Sequence, residues 1–288
     1  MDKEIIKKAD TLIEALPYIQ SFYGKTVVIK YGGAAMTDKS VRHNVLKDIV
    51  FMNFVGMRPI LVHGGGPHIS KRIEKQGGEV KFVKGIRVTD EASMAIAEEE
   101  LTKIGRQIAE EIVSLGGSAV SIAGKDRLVE VKKRKNIDGQ DMGFVGEITK
   151  IDAEIIERMI ASDVIPVIAP IGVNKKDRHS YNINADDVAA EIAGSMSAVK
   201  FVLLTNVEGI MESIKDSATL LSRVSITDVK KLVKTGIVSG GMIPKVNACV
   251  RALECGVLKT HIINEKAEHA LLLEIFTDKG IGTEIVKK

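Results

Sequence analysis

The sequence predicts an α/β protein with a mainly parallel β-sheet, and three observations lead to this prediction. Short β-branched runs of strand length alternate along the chain with longer runs of helical periodicity. The predicted strands that begin at Val27 and Pro59 both end in glycine-rich turns that lead into predicted helices. A chain of 288 residues, 45% hydrophobic and 27% charged, is long enough to bury a large core and to form two lobes.

Residues 2–20 have the periodicity of an amphipathic helix that precedes the first strand and completes no βαβ unit. Its apolar positions are Ile5, Ala9, Leu12, Ile13, Leu16 and Ile19. Pro17 is expected to kink or interrupt it. The apolar stripe predicts either packing against a partner helix, such as the same helix of another subunit, or packing on its own domain.

Lys30 ends the first predicted strand, just before a turn made by Gly32 and Gly33. A cation at the carboxyl end of a central strand, beside backbone that has no side chains, is well placed to bind an anionic ligand. The alternative is a surface lysine before an ordinary turn, and this stretch alone does not decide between them.

Three glycines, residues 64–66, separate the second predicted strand from the next helix. Their exposed N–H groups and the helix N-terminus predict an anion-binding site, with a purely structural turn as the alternative. Arg87 lies just before Thr89 and Asp90, either of which could cap a long helix over residues 91–115. A guanidinium there suits bidentate binding of a carboxylate, or it forms a surface ion pair.

The middle of the chain contains a polar cluster at a helix start. Residues 118–150 alternate and turn often, which predicts β-hairpins. After a helix and a buried strand, Asn182, Asn184 and Asp186 alternate just before another helix, which places three polar side chains on one side. Asp186 could simply cap that helix, but a cap accounts for one polar residue and not for three.

The last third of the chain adds a second lysine next to glycines. A buried strand at residues 201–205 leads into a loop with a glycine, and Thr227 is predicted to open a helix. Gly240 and Gly241 then precede a further helix that has Lys245 near its start.

Composition excludes several classes of function. The net charge of +3 and the lack of a basic run interleaved with aromatic residues argue against nucleic acid as a partner. No apolar run reaches the ~18 residues of a membrane span, and the mixed-charge N-terminus is not a signal peptide, so the cytoplasm is the expected compartment. No metal-binding motif is present. A P-loop and a GxGxxG fingerprint are also missing, and the second absence disfavours an NAD-linked oxidoreductase.

The remaining residues fit phosphoryl transfer. They comprise two lysines, two glycine-rich anion sites, one arginine and one aspartate among asparagines. Catalysis of phosphoryl transfer is mostly positioning, together with stabilisation of charge by cations and N–H groups. No general base is evident, and a carboxylate acceptor needs none because it is already ionised at neutral pH. The pattern therefore favours a kinase that forms an acyl phosphate.

Five motifs, in this order and spacing, resemble the amino acid kinase family: IKYGGAAM, VHGGGPHIS, GIRVTDEASM, YNINADDVAAEIA and GGMIPKVNAC. The resemblance covers nearly the whole chain and is strongest to members that phosphorylate the side-chain carboxylate of N-acetyl-L-glutamate with ATP and Mg²⁺. It implies an open, mainly parallel sheet between helix layers. It also implies an N-terminal helix over residues 1–22, an acceptor-binding lobe over 23–177 and a nucleotide-binding lobe over 178–288.

The resemblance also implies the role of each motif residue. Lys30 and Lys245 would flank the transferring phosphoryl group, Asp186 would orient both lysines, and the N–H groups of Gly33 and Gly65 would hold phosphoryl oxygens. The residues for the acylated amino acid would be Gly65, Gly66, Arg87, Asn182 and Asn184, with Arg87 on the α-carboxylate. Those for the nucleotide would be Thr205, Asn206, Gly209, Ile237, Val238, Ser239 and Lys245. Asn206 departs from the aspartate usual at this point in the family.

The N-terminal helix and the tail together are similar to the arginine-inhibited, hexameric members, in which N-terminal helices of neighbouring dimers interlace. This implies a homohexamer, a trimer of dimers, that is feedback-inhibited by L-arginine. The arginine residues would be Tyr18, His269, Glu274, Gly280 and Gly282. The alternative is a packed terminal helix or strand with a solvated end, and nothing in the sequence supports a PII-type regulator.

Two other interpretations of the function stay open at this point. A sister kinase of the same fold could act on another carboxylate, such as an aminoadipate derivative or carbamate, with different contacts around Arg87 and Asn182. A non-catalytic arginine sensor is the alternative from another class. The intact pair Lys30 and Lys245, together with Asp186, argues against a sensor because a sensor would not need them.

Overall fold

The computed structural model describes residues 3–32, 36, 38–123, 126–213, 216–277 and 280–288. The strands, in chain order, are β1 (Thr26–Tyr31), β2 (Arg58–His63), β3 (Phe82–Val83), β4 (Ile86–Arg87), β5 (Ala119–Ile122), β6 (Val129–Lys133), β7 (Gly146–Ile151), β8 (Ile165–Ile168), β9 (Ile171–Val173), β10 (Ser180–Asn182), β11 (Lys200–Thr205), β12 (Arg223–Ser225), β13 (Lys259–Asn264) and β14 (Thr283–Val286). The helices are α1 (Lys3–Phe22), α2 (Lys39–Phe54), α3 (Gly66–Lys75), α4 (Glu91–Ser114), α5 (Ala153–Ala161), α6 (Ala185–Ser195), α7 (Ile226–Lys234), α8 (Met242–Glu254) and α9 (Ala270–Ile275). None of these helices combines the length and the apolar composition needed to cross a bilayer.

A single eight-stranded sheet joins strands from both halves of the chain, in the order β12-β14-β13-β11-β1-β2-β8-β5. The strands from β13 to β5 are parallel to one another. At the other edge β14 pairs antiparallel with β13, and β12 follows the direction of β14. The prediction of an open, mainly parallel sheet is therefore confirmed.

Strand β1 explains why helices cover both faces of this sheet. Val27 and Ile29 are fully buried on one face, in a cluster with residues of α2, α4 and α9. Val28 is fully buried on the other face, in a cluster with residues of α6 and α8. Because successive side chains of a strand point to opposite faces, a strand that is apolar on both must be covered on both. This confirms the predicted helix layers.

The predicted hairpins over residues 118–150 are only partly correct. β6 and β7 do form an antiparallel pair, within a smaller sheet of order β10-β9-β6-β7. β5, however, pairs in parallel with β8 at the edge of the main sheet. An alternating pattern indicates a half-exposed strand and says nothing about its partner, so it could not tell an edge strand from a hairpin.

Two expectations about helix ends also change. α1 continues through Pro17, so the helix is not interrupted there. Pro17 has no N–H to donate to the carbonyl of Ile13 one turn earlier. Ile13 is exposed, so water can donate a hydrogen bond to that carbonyl instead. α7 begins at Ile226 rather than Thr227, because Ser225 and Asp228 form a capping box that fixes its start.

The carboxyl ends of the central strands lie at one edge of the sheet. β1 lies between β11 and β2, and these three parallel strands end at Tyr31, Thr205 and His63. Chain segments that leave such strands at this edge are where α/β proteins gather their ligands. Several of the residues predicted to bind substrates lie at this edge: Lys30, Gly65, Gly66, Thr205, Asn206 and Gly209.

Candidate active site

The structure brings Lys30 and Lys245 to the same carboxylate. Lys30 Nζ lies 2.9 Å from Asp186 Oδ1, and Lys245 Nζ lies 3.7 Å from Asp186 Oδ2. Lys30 comes from the end of β1, Asp186 from the first turn of α6 and Lys245 from the first turn of α8. Three segments that are distant in sequence therefore meet in one cluster with a net charge of +1.

Asp186 stays ionised in this cluster although it is almost completely buried. Burial opposes the charge of the carboxylate, but the ammonium groups of Lys30 and Lys245 outweigh it and lower the pKa of Asp186. The carboxylate thus holds the two ammonium groups at fixed positions. Because one carboxylate faces two lysines, the cluster keeps a positive charge that can act on an anionic group.

The helix cap that could have explained Asp186 is made by its neighbour. Asn184 is the N-cap of α6, and its side-chain oxygen accepts a hydrogen bond of 2.7 Å from the N–H of Asp186. Asp186 therefore has its carboxylate free for the lysines, and the capping explanation applies to Asn184 instead. The cap fixes the backbone of Asp186, which in turn aims its side chain.

Glycines make room beside Lys30. A Cβ added to Gly32 would lie 2.8 Å from Lys30 Nζ, and one added to Gly65 would lie 2.6 Å from the side chain of Leu101. A Cβ at Gly32 would displace the flexible end of Lys30 from its position, and one at Gly65 would overlap the side chain of Leu101, so the glycines keep this space open. Gly65 precedes the first residue of α3, so its N–H belongs to a helix N-terminus. Gly33 lies outside the described residues.

Arg87 is fixed through one of its two terminal guanidinium nitrogens, and the other has no hydrogen-bond partner among the described residues. Its Nη2 donates to the carbonyl of Gly66 at 3.0 Å and to Ser70 Oγ at 2.8 Å, and its guanidinium stacks on Phe82 at 4.8 Å from the ring centroid. Among the described residues, the buried Nη1 has no hydrogen-bond partner. Burial lowers the pKa of Arg87, with Glu74 opposing. A buried donor without a partner is costly, so this arrangement favours an anionic ligand.

Asn182 lies at the end of β10, where its Nδ2 approaches Thr89 Oγ1 at 3.4 Å. Asn182 and Arg87 line a cavity of about 220 Å³, which is also lined by Lys30, Gly64, Gly65, Gly66, Asn184 and Asp186. The structure therefore brings the predicted acceptor residues and two of the three charged residues of the cluster to one cavity. A small anionic molecule fits such a site.

The predicted nucleotide residues lie at the carboxyl end of β11. Thr205 Oγ1 donates a hydrogen bond of 3.0 Å to the carbonyl of Val207, which fixes the backbone conformation at the start of the loop. Gly209, with φ of +152°, lies against Thr283, whose Oγ1 would be 2.5 Å from an added Cβ. Asn206 is exposed. The loop is therefore fixed at both ends, with the side chain of Asn206 presented to solvent.

The second predicted nucleotide segment connects α7 to α8. Val238 is buried in the core, and its N–H donates to the carbonyl of Leu232 at 3.0 Å. Ile237 is half-buried and Ser239 is exposed. Side-chain contacts with a nucleotide could therefore come from Ile237 and Ser239, and Val238 could offer only its backbone.

The predicted arginine residues are only partly brought together. Glu274 is buried, with Oε1 at 2.6 Å from His261 Nδ1 and Oε2 accepting from the N–H of Ile281 at 2.9 Å. Burial opposes its charge, but these hydrogen bonds outweigh burial and lower the pKa of Glu274. Gly280 lies directly against this carboxylate, since a Cβ there would be 2.8 Å from it. Lys200 Nζ donates to the carbonyl of Glu274 at 3.3 Å.

The other predicted arginine residues have separate contacts. Tyr18 of α1 makes an edge contact with the ring of Phe276, at 6.3 Å between centroids, so the N-terminal helix packs on the tail. His269 Nδ1 lies 2.6 Å from a carboxylate oxygen of Asp48 on α2. Gly282 packs against the backbone of Ile262. The structure therefore joins α1 to the tail, whereas the contacts described for His269 and Gly282 are with α2 and β13.

Sequence reasoning missed four residues in these regions. Ser70 orients Arg87, His63 lies beside the glycine turn, and His261 and Lys200 surround Glu274. Polar residues within otherwise apolar strands were the available signal for His63, His261 and Lys200, because such positions are buried and need partners. No comparable signal exists for Ser70, which looks like an ordinary helix residue.

Comparison with known proteins gives a family and close relatives. Residues 25–264 match the model of the amino acid kinase family. The chain is 51% identical to the acetylglutamate kinase of Syntrophomonas wolfei subsp. wolfei over 284 residues, covering 98% of each chain. It is 49% identical to the acetylglutamate kinase of Caldanaerobacter subterraneus subsp. tengcongensis, covering 98% of this chain and 94% of that one.

Among solved structures, the fold is similar to that of N-acetylglutamate synthase from Neisseria gonorrhoeae in complex with coenzyme A and N-acetyl-glutamate. The TM-score is 0.87 with 27% sequence identity, and the match covers 97% of this chain. The match spans 63% of that synthase, which is longer. The shared part therefore includes nearly all of the fold described above.

Proposed function

This chain belongs to the amino acid kinase family, and we propose that it transfers the γ-phosphoryl group of ATP to the side-chain carboxylate of N-acetyl-L-glutamate. The products are N-acetyl-L-glutamyl 5-phosphate and ADP, and the reaction belongs to amino-acid biosynthesis. The observation that carries this proposal is Asp186 between Lys30 and Lys245, beside a glycine-lined cavity. The relatives named above support the choice of acceptor.

The reaction needs no proton transfer by the protein. An ionised carboxylate oxygen of the acceptor attacks the γ-phosphorus, the new P–O bond forms, and the bond to the β–γ bridging oxygen breaks, with that electron pair leaving on ADP. Among the described residues that line the cavity, the carboxylate is that of Asp186, and it is engaged by Lys30 and Lys245, so this proposal gives it no proton to take. What the protein must supply is position and positive charge.

Lys30 and Lys245 supply the charge in this proposal. Lys30 acts from the acceptor side and Lys245 from the nucleotide side, because β1 contributes to the cavity and α8 follows the nucleotide segment. Asp186 keeps the two ammonium groups apart and aligned. The N–H of Gly65, at the start of α3, stabilises oxygens of the transferring group. We propose the same role for Gly33.

Arg87 binds the α-carboxylate of N-acetyl-L-glutamate in this proposal. Its unpartnered Nη1 supports this role, since Nη2 is already taken by Gly66 and Ser70. Asn182 and the backbone of Gly66 line the same cavity and contact the rest of the acceptor. Asn184 supports the site by fixing the backbone of Asp186.

ATP binds along the loop after β11, with Thr205, Asn206 and Gly209, and along the segment before α8, with Ile237, Val238 and Ser239. Lys245 in the first turn of α8 completes the set. We propose that Mg²⁺ arrives with the phosphates of ATP, as it does in many kinases. In the part of the chain that the structure describes, no group of three His, Cys, Asp or Glu side chains could hold a metal. The carboxylate of Asp186 is occupied by lysines.

An assay of ADP release tests the proposed function against its rivals. We expect ADP release with ATP and N-acetyl-L-glutamate, and much less with glutamate, an N-acylated aminoadipate or carbamate. Faster turnover of one of the other carboxylates would favour a sister kinase of the same fold. No ADP release with any acceptor would favour a non-catalytic protein.

We also propose the division of labour along the chain. Residues 1–22 form an oligomerisation helix, residues 23–177 an acceptor-binding lobe and residues 178–288 a nucleotide-binding lobe. The glycine turns and Arg87 belong to the first lobe, and the loop after β11 and Lys245 belong to the second. The free cysteines Cys249 and Cys255 and the use of ATP accord with a cytoplasmic enzyme.

Regulation by L-arginine and a homohexameric assembly are further parts of this proposal. Leu12 and Ile13 of α1 are about two-thirds exposed, which supports contact with the same helix of another subunit. Tyr18 packs on Phe276, close in sequence to Glu274, which supports coupling between α1 and the tail. The carboxylate of Glu274 is engaged by His261, so arginine must bind a different arrangement of this region better in order to inhibit.

Deleting residues 1–20 tests this regulatory proposal. We expect a smaller oligomer, a dimer, that is active and no longer inhibited by arginine, as measured by light scattering and by ADP release with and without millimolar arginine. Unchanged size and full inhibition would remove both roles from α1. If the intact enzyme ignores arginine, the regulatory proposal is wrong while the kinase proposal stands.

A further inference from the structure

The last residue of β2, His63, is fully buried and does not line the substrate cavity, although the next three residues do. Its Nδ1 lies 3.0 Å from the carbonyl oxygen of Gly64. A carbonyl oxygen only accepts hydrogen bonds, so Nδ1 must carry the proton and donate it. The side chain therefore forms a hydrogen bond with the backbone of the glycine turn itself.

This hydrogen bond fixes the direction of a neighbouring peptide. The N–H of Gly64 donates to the carbonyl of Tyr31 at 2.7 Å, and the carbonyl of Gly64 points back to the His63 ring. No cis peptide occurs among the described residues, and in a trans peptide the C=O and the following N–H point in opposite directions. The N–H of Gly65 therefore points away from the buried ring, and Gly64 and Gly65 themselves line the cavity.

We propose that His63 is a positioning residue that holds the N–H of Gly65 towards the transferring phosphoryl group. The inference rests on the proposed function, which assigns that N–H to phosphoryl oxygens. His63 touches neither substrate. It acts through the Gly64–Gly65 peptide, which without this bond could rotate and turn its carbonyl into the cavity, where a negative dipole would face a negative group.

The surroundings of the ring keep it in this role. Burial lowers the pKa of His63 to about 4, so the imidazole is neutral at neutral pH and its single proton stays on Nδ1. The other side of the ring faces α4 at Gly105, where an added Cβ would lie 2.9 Å from Nε2 and 2.5 Å from Ser121 Oγ. The absence of a side chain at Gly105 leaves the space that the ring needs.

Three substitutions separate positioning from simple core packing. His63→Asn keeps an N–H donor at the δ position, where it can reach the Gly64 carbonyl. His63→Gln has the same polar group one methylene further out, and His63→Leu fills the space without any donor. Ile60→Val, on the same strand and also fully buried, is a control for general loss of packing. Each variant is compared with wild type for kcat, both KM values and melting temperature.

We expect kcat to fall about 10- to 100-fold in His63→Leu and His63→Gln, less than the ~10²–10³ lost when an oxyanion donor is removed altogether. Both KM values should change less than about threefold, and His63→Asn should recover kcat to within about threefold of wild type. If His63→Leu does not fold, the Asn and Gln variants still give the comparison. Equal kcat in His63→Asn and His63→Gln, or unchanged kcat in His63→Leu, would overturn the inference about His63 and leave the proposed function intact. A wild-type enzyme that releases no ADP with N-acetyl-L-glutamate would overturn the proposed function and this inference with it.

Discussion

Asp186 and Glu274 are among the carboxylates that the described structure buries, and both lie among basic side chains, at opposite ends of the strands of the main sheet. Asp186 lies with Lys30 at the ends of the parallel strands, where the cavity opens. Glu274 lies with His261 and Lys200 towards the ends at which β13 and β11 begin. In both clusters partners outweigh burial and lower the pKa of the carboxylate. The two clusters are thus electrostatically alike in how they keep an acid ionised.

The two clusters differ in how much hydrogen-bonding capacity and charge they leave for a ligand. Each oxygen of Glu274 already has a partner, His261 on one and the N–H of Ile281 on the other. Asp186 is shared by two lysines, which leaves excess positive charge at the cavity wall together with the unpartnered Nη1 of Arg87. A buried charged cluster therefore points to chemistry when it keeps capacity for a ligand, and to structure or switching when its own residues use that capacity up.

The largest effect is expected at Lys30. Lys30→Ala removes a cation that acts on the transferring charge, so kcat should fall about 10²–10³-fold while substrate KM values change little. Lys259→Ala is the matched control. Lys259 Nζ forms an ion pair with Glu284 Oε1, at a distance of 2.7 Å, and does not line the cavity. The kcat of Lys259→Ala should therefore not change. Steady-state ADP release measures both. Near-normal turnover in Lys30→Ala would contradict a catalytic role for the Asp186 cluster.

A slightly smaller effect is expected at Asp186. Asp186→Asn keeps the shape but loses the charge that aligns the two lysines, so kcat should fall about 10²-fold by misplacement of catalytic groups. Asn184→Ala provides the contrast, since it removes the cap of α6 and should cost about 0.5–2 kcal/mol of stability with a much smaller loss of kcat. Melting temperature and kcat, measured on both variants, tell the two roles apart. A similar pattern in both would mean that Asp186 only supports the helix.

At Arg87 the effect should appear in binding. Arg87→Lys keeps the charge but loses the planar fork that reaches Gly66, Ser70 and a ligand at once. The KM for N-acetyl-L-glutamate should rise several-fold, and the KM for ATP should hardly move. Arg72→Lys is the control, as Arg72 pairs with Glu99 and Glu100 outside the cavity. Equal increases in the KM for N-acetyl-L-glutamate and the KM for ATP in Arg87→Lys would contradict the assignment of Arg87 to the acceptor.

The smallest effect concerns stability and its pH dependence at Glu274. Its pKa is lower in the folded protein than its ordinary value, so its charge stabilises the fold above the ordinary value and this contribution is lost as pH falls through the folded value. Glu274→Gln keeps an acceptor but no charge, and should lower stability by about 1 kcal/mol at pH 7. The difference should shrink below about pH 4. Exposed Glu157→Gln serves as the control, and a pH-independent difference would show that charge is not what matters at Glu274.

Much of the fold and of the site followed from local patterns. Alternating strand and helix runs, together with glycines after β1 and β2, predicted the parallel sheet and its ligand-binding edge, because these patterns depend on residues that are neighbours in sequence. The resemblance of the five motifs to the family also predicted roles for Lys30, Arg87 and Lys245, and these roles stay predictions. The partner of β5 and the uninterrupted α1 were not predictable, since pairing partners and solvent access to a carbonyl are not local properties.

By itself, then, the sequence determined the fold class and the identity of the charged residues, because residue type and short-range periodicity decide what is buried and what can carry charge. The resemblance to the family already implied that Asp186 orients Lys30 and Lys245, but only the tertiary structure decided the contacts around this cluster. It gave the cap of α6 to Asn184, left Nη1 of Arg87 without a partner among the described residues and turned the Gly64 carbonyl to His63. These contacts join segments far apart in the chain or depend on the direction of a single peptide, and both are fixed only when the helices pack on the sheet.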